Sequence, residues 1–92
     1  MSFEIVSTSS FKKALKRYKY NKKALDDLKE VLLLLRDKNN LPVKYREHKL
    51  VGKREEYLEC HVQPDLLLIY SRDQKQKKVH LLDLGSHSKI FG

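Results

Sequence analysis

The sequence has little that could form a disulfide, a compact metal motif or a membrane span. Its 92 residues include one cysteine, Cys60, and no tryptophan. A single thiol cannot close an intramolecular disulfide, so a reducing compartment is expected. The longest apolar runs, residues 31–35 and 66–70, are far too short for a membrane helix. We therefore expect a cytoplasmic chain with no signal peptide and no membrane contact.

Acidic residues are scarce in the first part of the chain. Residues 1–54 carry 15 Lys and Arg against 6 Asp and Glu, whereas residues 55–92 carry 5 against 6. The resulting net charge of +8 favours a polyanionic partner, because basic side chains neutralise phosphates and release counterions. The alternative is that these lysines simply form a solvated helix face.

Hydrophobic residues make up 40% of the chain and charged residues 35%, which is enough apolar material for one small core. We expect a single domain over residues 1–92. Phe3 and Ile5 alternate with polar neighbours and predict a short strand, which the Ser/Thr cluster at 7–10 ends as a helix cap. Apolar residues then recur at helical spacing from Phe11 to Tyr18, and again after Asn21 as far as Leu35.

The second half of the sequence predicts a sheet. Residues 42–56 have no clear period and are interpreted as a loop. Residues 57–62 alternate, with Leu58, Cys60 and Val62 on one face and Tyr57, Glu59 and His61 on the other. Residues 66–70 are apolar on both faces, as in a central strand. A hairpin loop over 71–78, a last strand over 79–84 and a short tail complete the order βααβββ. The predicted fold is α+β, with a helical hairpin packed on a mostly antiparallel twisted sheet.

Histidines and carboxylates are the residues most able to carry chemistry here. The candidates are His48 in the loop, Glu59 and His61 on the polar strand face, Asp65 in the turn and His87 after the last strand. Cleavage of RNA without a metal needs a base for the 2′-hydroxyl, an acid for the departing 5′-oxygen, and positive charge at the phosphate. Histidine suits the first two roles, a carboxylate can orient it, and Lys53, Arg54 or a protonated histidine can supply the third.

Two other interpretations remain open for these residues. A single histidine on a strand is more often structural than catalytic, and an aspartate after proline is an ordinary turn residue. His48, His61, His87 and Cys60 are also possible zinc ligands, although their spacing matches no compact zinc motif. We therefore expect neither a metal nor another cofactor.

Three motifs resemble the YafQ-type toxins of the RelE/ParE superfamily. They are H-x-L-x-G at residues 48–52, H-V-x-P-D-x-x-L-I-Y at 61–70 and G-[ST]-H-x-x-[IL]-F-G at 85–92. The resemblance extends over essentially the whole chain, and the order βααβββ agrees with it.

The resemblance implies a toxin of a type II toxin–antitoxin system that cleaves mRNA in the ribosome. It implies a small acidic antitoxin as partner, with the toxin monomeric when free and hetero-oligomeric with its antitoxin. It also places His48, His61, Asp65 and His87 on catalytic positions, with Glu59 beside them and Phe91 against RNA. Ribosomal RNA would then be bound by the basic first helix, through Lys12, Lys13, Lys16 and Arg17.

One departure from the family pattern weakens this expectation. Related chains often carry arginine in the last strand, four residues before the terminal histidine, where this chain has Asp83. Phosphate stabilisation at that position is therefore in question. The alternatives are a ParE-like toxin that inhibits a protein target such as gyrase, and a non-catalytic RNA-binding module.

Overall fold

The computed structural model describes residues 2–37, 40–50 and 57–92, which form a five-stranded sheet and three helices. The strands are β1 (Glu4–Ser7), β2 (His48–Lys49), β3 (Tyr57–Gln63), β4 (Leu66–Asp73) and β5 (Lys78–Gly85). The helices are α1 (Ser9–Leu15), α2 (Lys22–Asp37) and α3 (His87–Phe91). Short 3₁₀ turns follow α1 at Lys16–Tyr18 and precede β2 at Val43–Tyr45.

Polar side chains fix where the first two helices begin. The Thr8 hydroxyl accepts a hydrogen bond from the Phe11 amide at 3.2 Å, and the Asn21 side chain accepts one from the Ala24 amide at 3.0 Å. Each satisfies a first-turn amide that has no partner within its helix. The predicted cap in the Ser/Thr cluster and the predicted cap at Asn21 are both confirmed.

The sheet has the order β1-β5-β4-β3-β2. Residues 66–70 therefore lie in the central strand, as their apolar character on both faces predicted. All neighbouring strands are antiparallel except β1, which runs parallel to β5. The register aligns Glu59 with Ile69 and Ile69 with Asp83, while His61 aligns with Leu67 and Leu67 with Gly85. Residues in these rows share one face of the sheet.

The core lies between the opposite face of the sheet and the first two helices. Helix α1 packs on β5, and α2 packs on β3. The core side chains from these elements have relative exposures below 10%; they include Phe11, Ala14, Leu28, Val31, Leu35, Cys60, Leu68, Tyr70, Val79 and Leu81. The alternation predicted for β3 is confirmed, because Cys60 and Val62 are buried in this core.

Helix α3 lies on the face that α1 and α2 leave open. A Cβ built on Gly85 would lie 3.6 Å from the Ile90 side chain, on the side of the sheet that Leu67 also faces. Leu67 and Ile69 are buried there, with exposures of 1% and 5%. The last helix therefore forms one wall of a concave surface above the polar residues of β3.

The predicted fold class is confirmed, but four local predictions were wrong. Residues 42–56 include a 3₁₀ turn and the edge strand β2, and residues 86–92 form a helix rather than a tail. The loop predicted over 71–78 is shorter, because β4 extends to Asp73 and β5 begins at Lys78. The helix predicted over 11–18 begins at Ser9 and ends in the 3₁₀ turn. Elements of two to five residues are too short to show a hydrophobic period.

No helix in the described residues is long and apolar enough to cross a membrane.

Burial of Cys60 predicts how the fold responds to alkaline pH. Burial raises the pKa of the Cys60 thiol from 9.0 to about 12, and burial also raises the pKa of the Tyr70 hydroxyl. The unfolded chain therefore releases these protons first, so the stability linked to them is complete below about pH 9 and declines towards pH 12. In urea unfolding at neutral pH, Cys60→Ala should be less stable than the parent by roughly 1 kcal/mol. The parent should lose about 1.4 kcal/mol of stability per pH unit relative to Cys60→Ala above pH 9, so the difference should vanish at about pH 10 and change sign above it. A constant difference across the range would contradict a protonated buried thiol.

Candidate active site

The strand register brings most of the candidate residues to one rim of the sheet. His48 pairs with Glu59 across β2 and β3, so their side chains share a face. His61 lies two residues further along β3 on the same face. The Gln63–Leu66 connection then carries Asp65 to the rim where β5 ends and α3 begins. The convergence expected from sequence is therefore present.

Glu59 is a buried carboxylate between two imidazoles. Its relative exposure is 5%. Its Oε1 atom lies 3.0 Å from His48 Nε2 and 3.8 Å from His61 Nε2. The two rings are 6.5 Å apart between centroids. A buried carboxylate is costly unless donors or an opposite charge compensate it, and these two imidazoles do so when they are protonated.

Backbone carbonyls orient both rings from the opposite side. His48 Nδ1 lies 2.8 Å from the Arg46 carbonyl, and His61 Nδ1 lies 3.3 Å from the Pro64 carbonyl. A carbonyl oxygen only accepts, so each Nδ1 carries the proton. His48 Nε2 faces the Glu59 carboxylate at 3.0 Å, so a proton taken up by this nitrogen is placed to bind Glu59 Oε1.

Asp65 connects this rim to the last helix. Its Oδ1 atom accepts a hydrogen bond from the His87 backbone amide at 3.1 Å. The Ser86 hydroxyl accepts from the Lys89 amide at 3.2 Å and caps the helix. The His87 ring lies 4.8 Å from the Phe91 ring, one helical turn away. Asp65 therefore holds His87, the first residue of α3, at the rim of the sheet.

A cleft of about 310 Å³ separates the two walls of the site. His48, Lys49, Leu50 and Glu59 line one side, and His87 and Phe91 line the other. His87 and Phe91 are exposed, with Phe91 at 42%. The cleft thus presents imidazoles from two separate elements to a molecule bound between them.

A buried tyrosine holds the segment that carries His48. The Tyr70 hydroxyl, which is fully buried, donates a hydrogen bond to the carboxylate of Glu47. Arg72 lies 3.9 Å from the same carboxylate. Glu47 directly precedes His48, so this contact ties the short edge strand to the centre of the sheet.

The remaining predicted residues lie elsewhere. Lys53 and Arg54 fall outside the described residues. Lys12, Lys13, Lys16 and Arg17 are exposed on α1 and its 3₁₀ turn, which cover the face of the sheet opposite the cleft. Asp83 shares the open face, and its carboxylate accepts a hydrogen bond from the adjacent Leu84 amide at 2.8 Å. The position at which the resemblance led us to expect a cation therefore holds an acid.

The alternative of a zinc site does not fit this arrangement. Cys60 is buried in the core on the opposite face from the three histidines. Within the described ranges, no group of three or more His, Cys, Asp or Glu side chains is placed to hold a metal ion.

Sequence reasoning missed three residues around the site. Glu47, Lys44 and Arg46 have no distinctive spacing in the sequence, and the stretch that contains them looked like an irregular loop. The only sequence signal was their position immediately before His48. Their contacts depend on the fold, because Glu47 meets a tyrosine that is 23 residues away.

Known proteins are similar to this chain over nearly its whole length. The family model for the YafQ bacterial toxin of type II toxin–antitoxin systems matches residues 3–92. The mRNA interferase toxin YafQ of Escherichia coli K12 is 30% identical over 90 residues, which is 97% of this chain and 96% of that protein. A chain in the crystal structure of the E. coli DinJ-YafQ toxin–antitoxin complex has a TM-score of 0.88 at 29% identity, covering 100% of both chains. A metal-bound toxin from Helicobacter pylori has a TM-score of 0.87 at 36% identity, covering 97% of this chain and 99% of that one.

The hydrogen bond from Tyr70 to Glu47 can be tested by removing the tyrosine hydroxyl. Tyr70→Phe leaves the half-buried Glu47 carboxylate without this donor, so the free energy of unfolding in urea should fall by about 1–3 kcal/mol. Tyr57→Phe is the matched control, because the Tyr57 hydroxyl makes no hydrogen bond within the described part of the chain; its effect should stay within about 0.5 kcal/mol. Equal effects of the two changes would show that the contact with Glu47 does not stabilise the fold.

Proposed function

We propose that this chain, which belongs to the YafQ family of type II toxin–antitoxin toxins, is an endoribonuclease that cleaves mRNA on the ribosome. Family membership supports the toxin and endoribonuclease assignment. The observation that best supports the chemistry is the placement of His48, Glu59 and His61 against His87 at one rim. Groups that give and take protons thus lie on both walls of a cleft.

The proposed reaction uses the 2′-hydroxyl of the RNA as nucleophile. A base removes its proton, the 2′-oxygen attacks the adjacent phosphorus, and the bond to the 5′-oxygen breaks as an acid protonates that oxygen. The products are a 2′,3′-cyclic phosphate and a 5′-hydroxyl. No metal takes part in these steps.

We assign His87 as the general acid and place the base on the opposite wall. His48 and His61 share the Glu59 carboxylate there, and the base is one of these two imidazoles. Asp65 acts as a positioning residue, because its carboxylate holds the His87 backbone amide rather than facing the cleft. Glu59 orients the two rings and balances their charge.

Positive charge at the phosphate comes from the cleft walls rather than from the last strand. Asp83 cannot donate to a phosphate oxygen when ionised. Lys49 lines the cleft and is exposed, so it is available as a phosphate ligand alongside a protonated His87. Phe91 offers an exposed ring on which an unstacked base can pack.

The basic residues of the first helix are suited to a second polyanion. Lys12, Lys13, Lys16 and Arg17 lie on the face opposite the cleft, so ribosomal RNA can be bound there while the message enters the site. This division agrees with the uneven charge of the sequence. The interaction is electrostatic and should weaken with salt.

The expected protein partner is an acidic antitoxin. The E. coli YafQ structure contains its antitoxin DinJ, and a chain of net charge +8 favours an acidic segment that folds on binding. We infer a monomer when free, a cytoplasmic location and a place in the RelE/ParE superfamily.

His87→Ala tests the catalytic assignment. Loss of a general acid should slow cleavage of ribosome-bound mRNA by about 10²- to 10⁴-fold, measured by primer extension under single-turnover conditions. His80→Ala is the control, because it also removes one imidazole but lies at the far end of β5, where it pairs with Val6. Cleavage by His87→Ala at the parent rate would contradict the assignment.

A further inference from the structure

A second cavity adjoins the candidate active site on the far side of His61. It has a volume of about 460 Å³ and lies between α2 and the segment that leads into β2. Lys23, Asp27 and Glu30 form the helical wall, and Lys44, Tyr45 and Arg46 form the opposite one. His61 belongs to this cavity, while its partner Glu59 lines the cleft. The two cavities are therefore neighbours across the His61–Glu59 pair.

The cations on the two walls differ in their partners. Lys23 is paired with Asp27 at 2.9 Å, and Asp27 also accepts a hydrogen bond from Gln63 at 2.8 Å. The hydrogen bond from Gln63, the contact with Lys23 and the nearby charge of Lys44 lower the pKa of Asp27, so it remains a carboxylate bound to its neighbours. Lys44 and Arg46 are both exposed, and in the described ranges neither makes an ion pair within 4 Å. Glu30 is the remaining carboxylate, on the helical wall.

Arg46 is held in place by the same contacts that orient His48. Its carbonyl accepts the hydrogen bond from His48 Nδ1, and its amide donates to the Val43 carbonyl at 2.9 Å. Its backbone is left-handed, with φ of 52°, a conformation that glycine adopts without strain but arginine does not. The Arg46 guanidinium, which makes no ion pair within the described residues, therefore starts from a backbone position fixed relative to the site.

Lys44 lies beside it on the same wall. Its ammonium group is 5.0 Å from the centre of the Tyr45 ring, and Tyr45 is buried at 6% exposure. The ring contact directs the lysine without neutralising it. Two cations that make no ion pair within 4 Å in the described residues thus flank His61, one of the two candidate general bases, and an oxyanion is the ligand that they fit.

We propose that this cavity is a phosphate-binding subsite for the RNA strand, in which Lys44 and Arg46 bind the phosphate on the 5′ side of the nucleotide that carries the attacking hydroxyl. The proposal rests on the proposed function. The direction follows from the acid and base assignment. His87 acts on the leaving 5′-oxygen, so the strand continues in the 3′ direction past His87 and in the 5′ direction past the imidazoles of the opposite wall. The cavity beyond His61 lies on that 5′ side.

The test combines charge removal on the protein with charge removal on the RNA. Synthetic mRNAs carry one neutral methylphosphonate linkage, either one phosphate 5′ or one phosphate 3′ of the bond that the parent protein cleaves. They are placed on ribosomes, and single-turnover cleavage rates are measured. The variants are K44Q/R46Q and the control K29Q/K75Q, which removes two exposed lysines that line neither of these two cavities.

A direct contact of Lys44 and Arg46 with the 5′ phosphate predicts that the effects of the protein variant and of the RNA modification do not add. With natural mRNA, K44Q/R46Q should cleave about tenfold more slowly than the parent. The 5′ methylphosphonate should slow the parent by about the same factor but should not slow K44Q/R46Q further. The 3′ methylphosphonate should slow both proteins equally, and K29Q/K75Q should behave as the parent with every message.

Other outcomes distinguish failure of the proposed subsite from failure of the proposed function. If the 5′ methylphosphonate slows the parent and K44Q/R46Q by equal factors, the subsite is wrong while the endoribonuclease stands. The same conclusion follows if K44Q/R46Q cleaves normally but binds the antitoxin more weakly. If the parent leaves natural ribosome-bound mRNA intact, both the proposed function and the subsite are overturned.

Discussion

The candidate site depends on one buried carboxylate. Glu59 has a relative exposure of 5% in the middle of β3, and burial of an uncompensated charge there would destabilise the sheet. When they are protonated, His48 at 3.0 Å and His61 at 3.8 Å compensate it from two different strands. The same contacts that make the carboxylate tolerable therefore fix two imidazoles beside each other. Stability of the sheet edge and orientation of the proposed base have one physical cause.

The surrounding contacts hold each partner of Glu59 in register. The Arg46 and Pro64 carbonyls accept from the outer nitrogens of the two rings, so neither ring can rotate without losing a hydrogen bond. Tyr70 ties Glu47, and thus the two-residue strand β2, to the core. Asp65 does the same for the start of α3. His48 and His87 lie on short elements, and each of these elements is attached to the sheet by a polar contact.

The sequence alone was sufficient to predict the features that follow a repeating pattern. Helical spacing, two caps and the alternation along β3 were predicted, and with them the shared face of Glu59 and His61. His48 and His87 were candidates from their residue type and position, and the motifs that resemble YafQ toxins added support, because their elements are too short to show a period. Burial of Glu59 was not predictable, because it depends on His48 of the neighbouring strand β2 and on the position of α3 above the open face. Lys44 and Arg46 were missed for the same reason, since their relation to His61 depends on how the chain passes α2.

Attack by the 2′-hydroxyl leaves a chemical signature on the RNA. The most direct measurement is the identity of the fragment ends after the purified protein cuts ribosome-bound mRNA, determined by mass spectrometry and by end-specific ligation. Proton transfer between the imidazoles on the two walls predicts a 2′,3′-cyclic phosphate, or the 2′- or 3′-phosphate formed by its hydrolysis, together with a 5′-hydroxyl. A 3′-hydroxyl with a 5′-phosphate would contradict it, because those ends require water rather than the ribose oxygen as nucleophile.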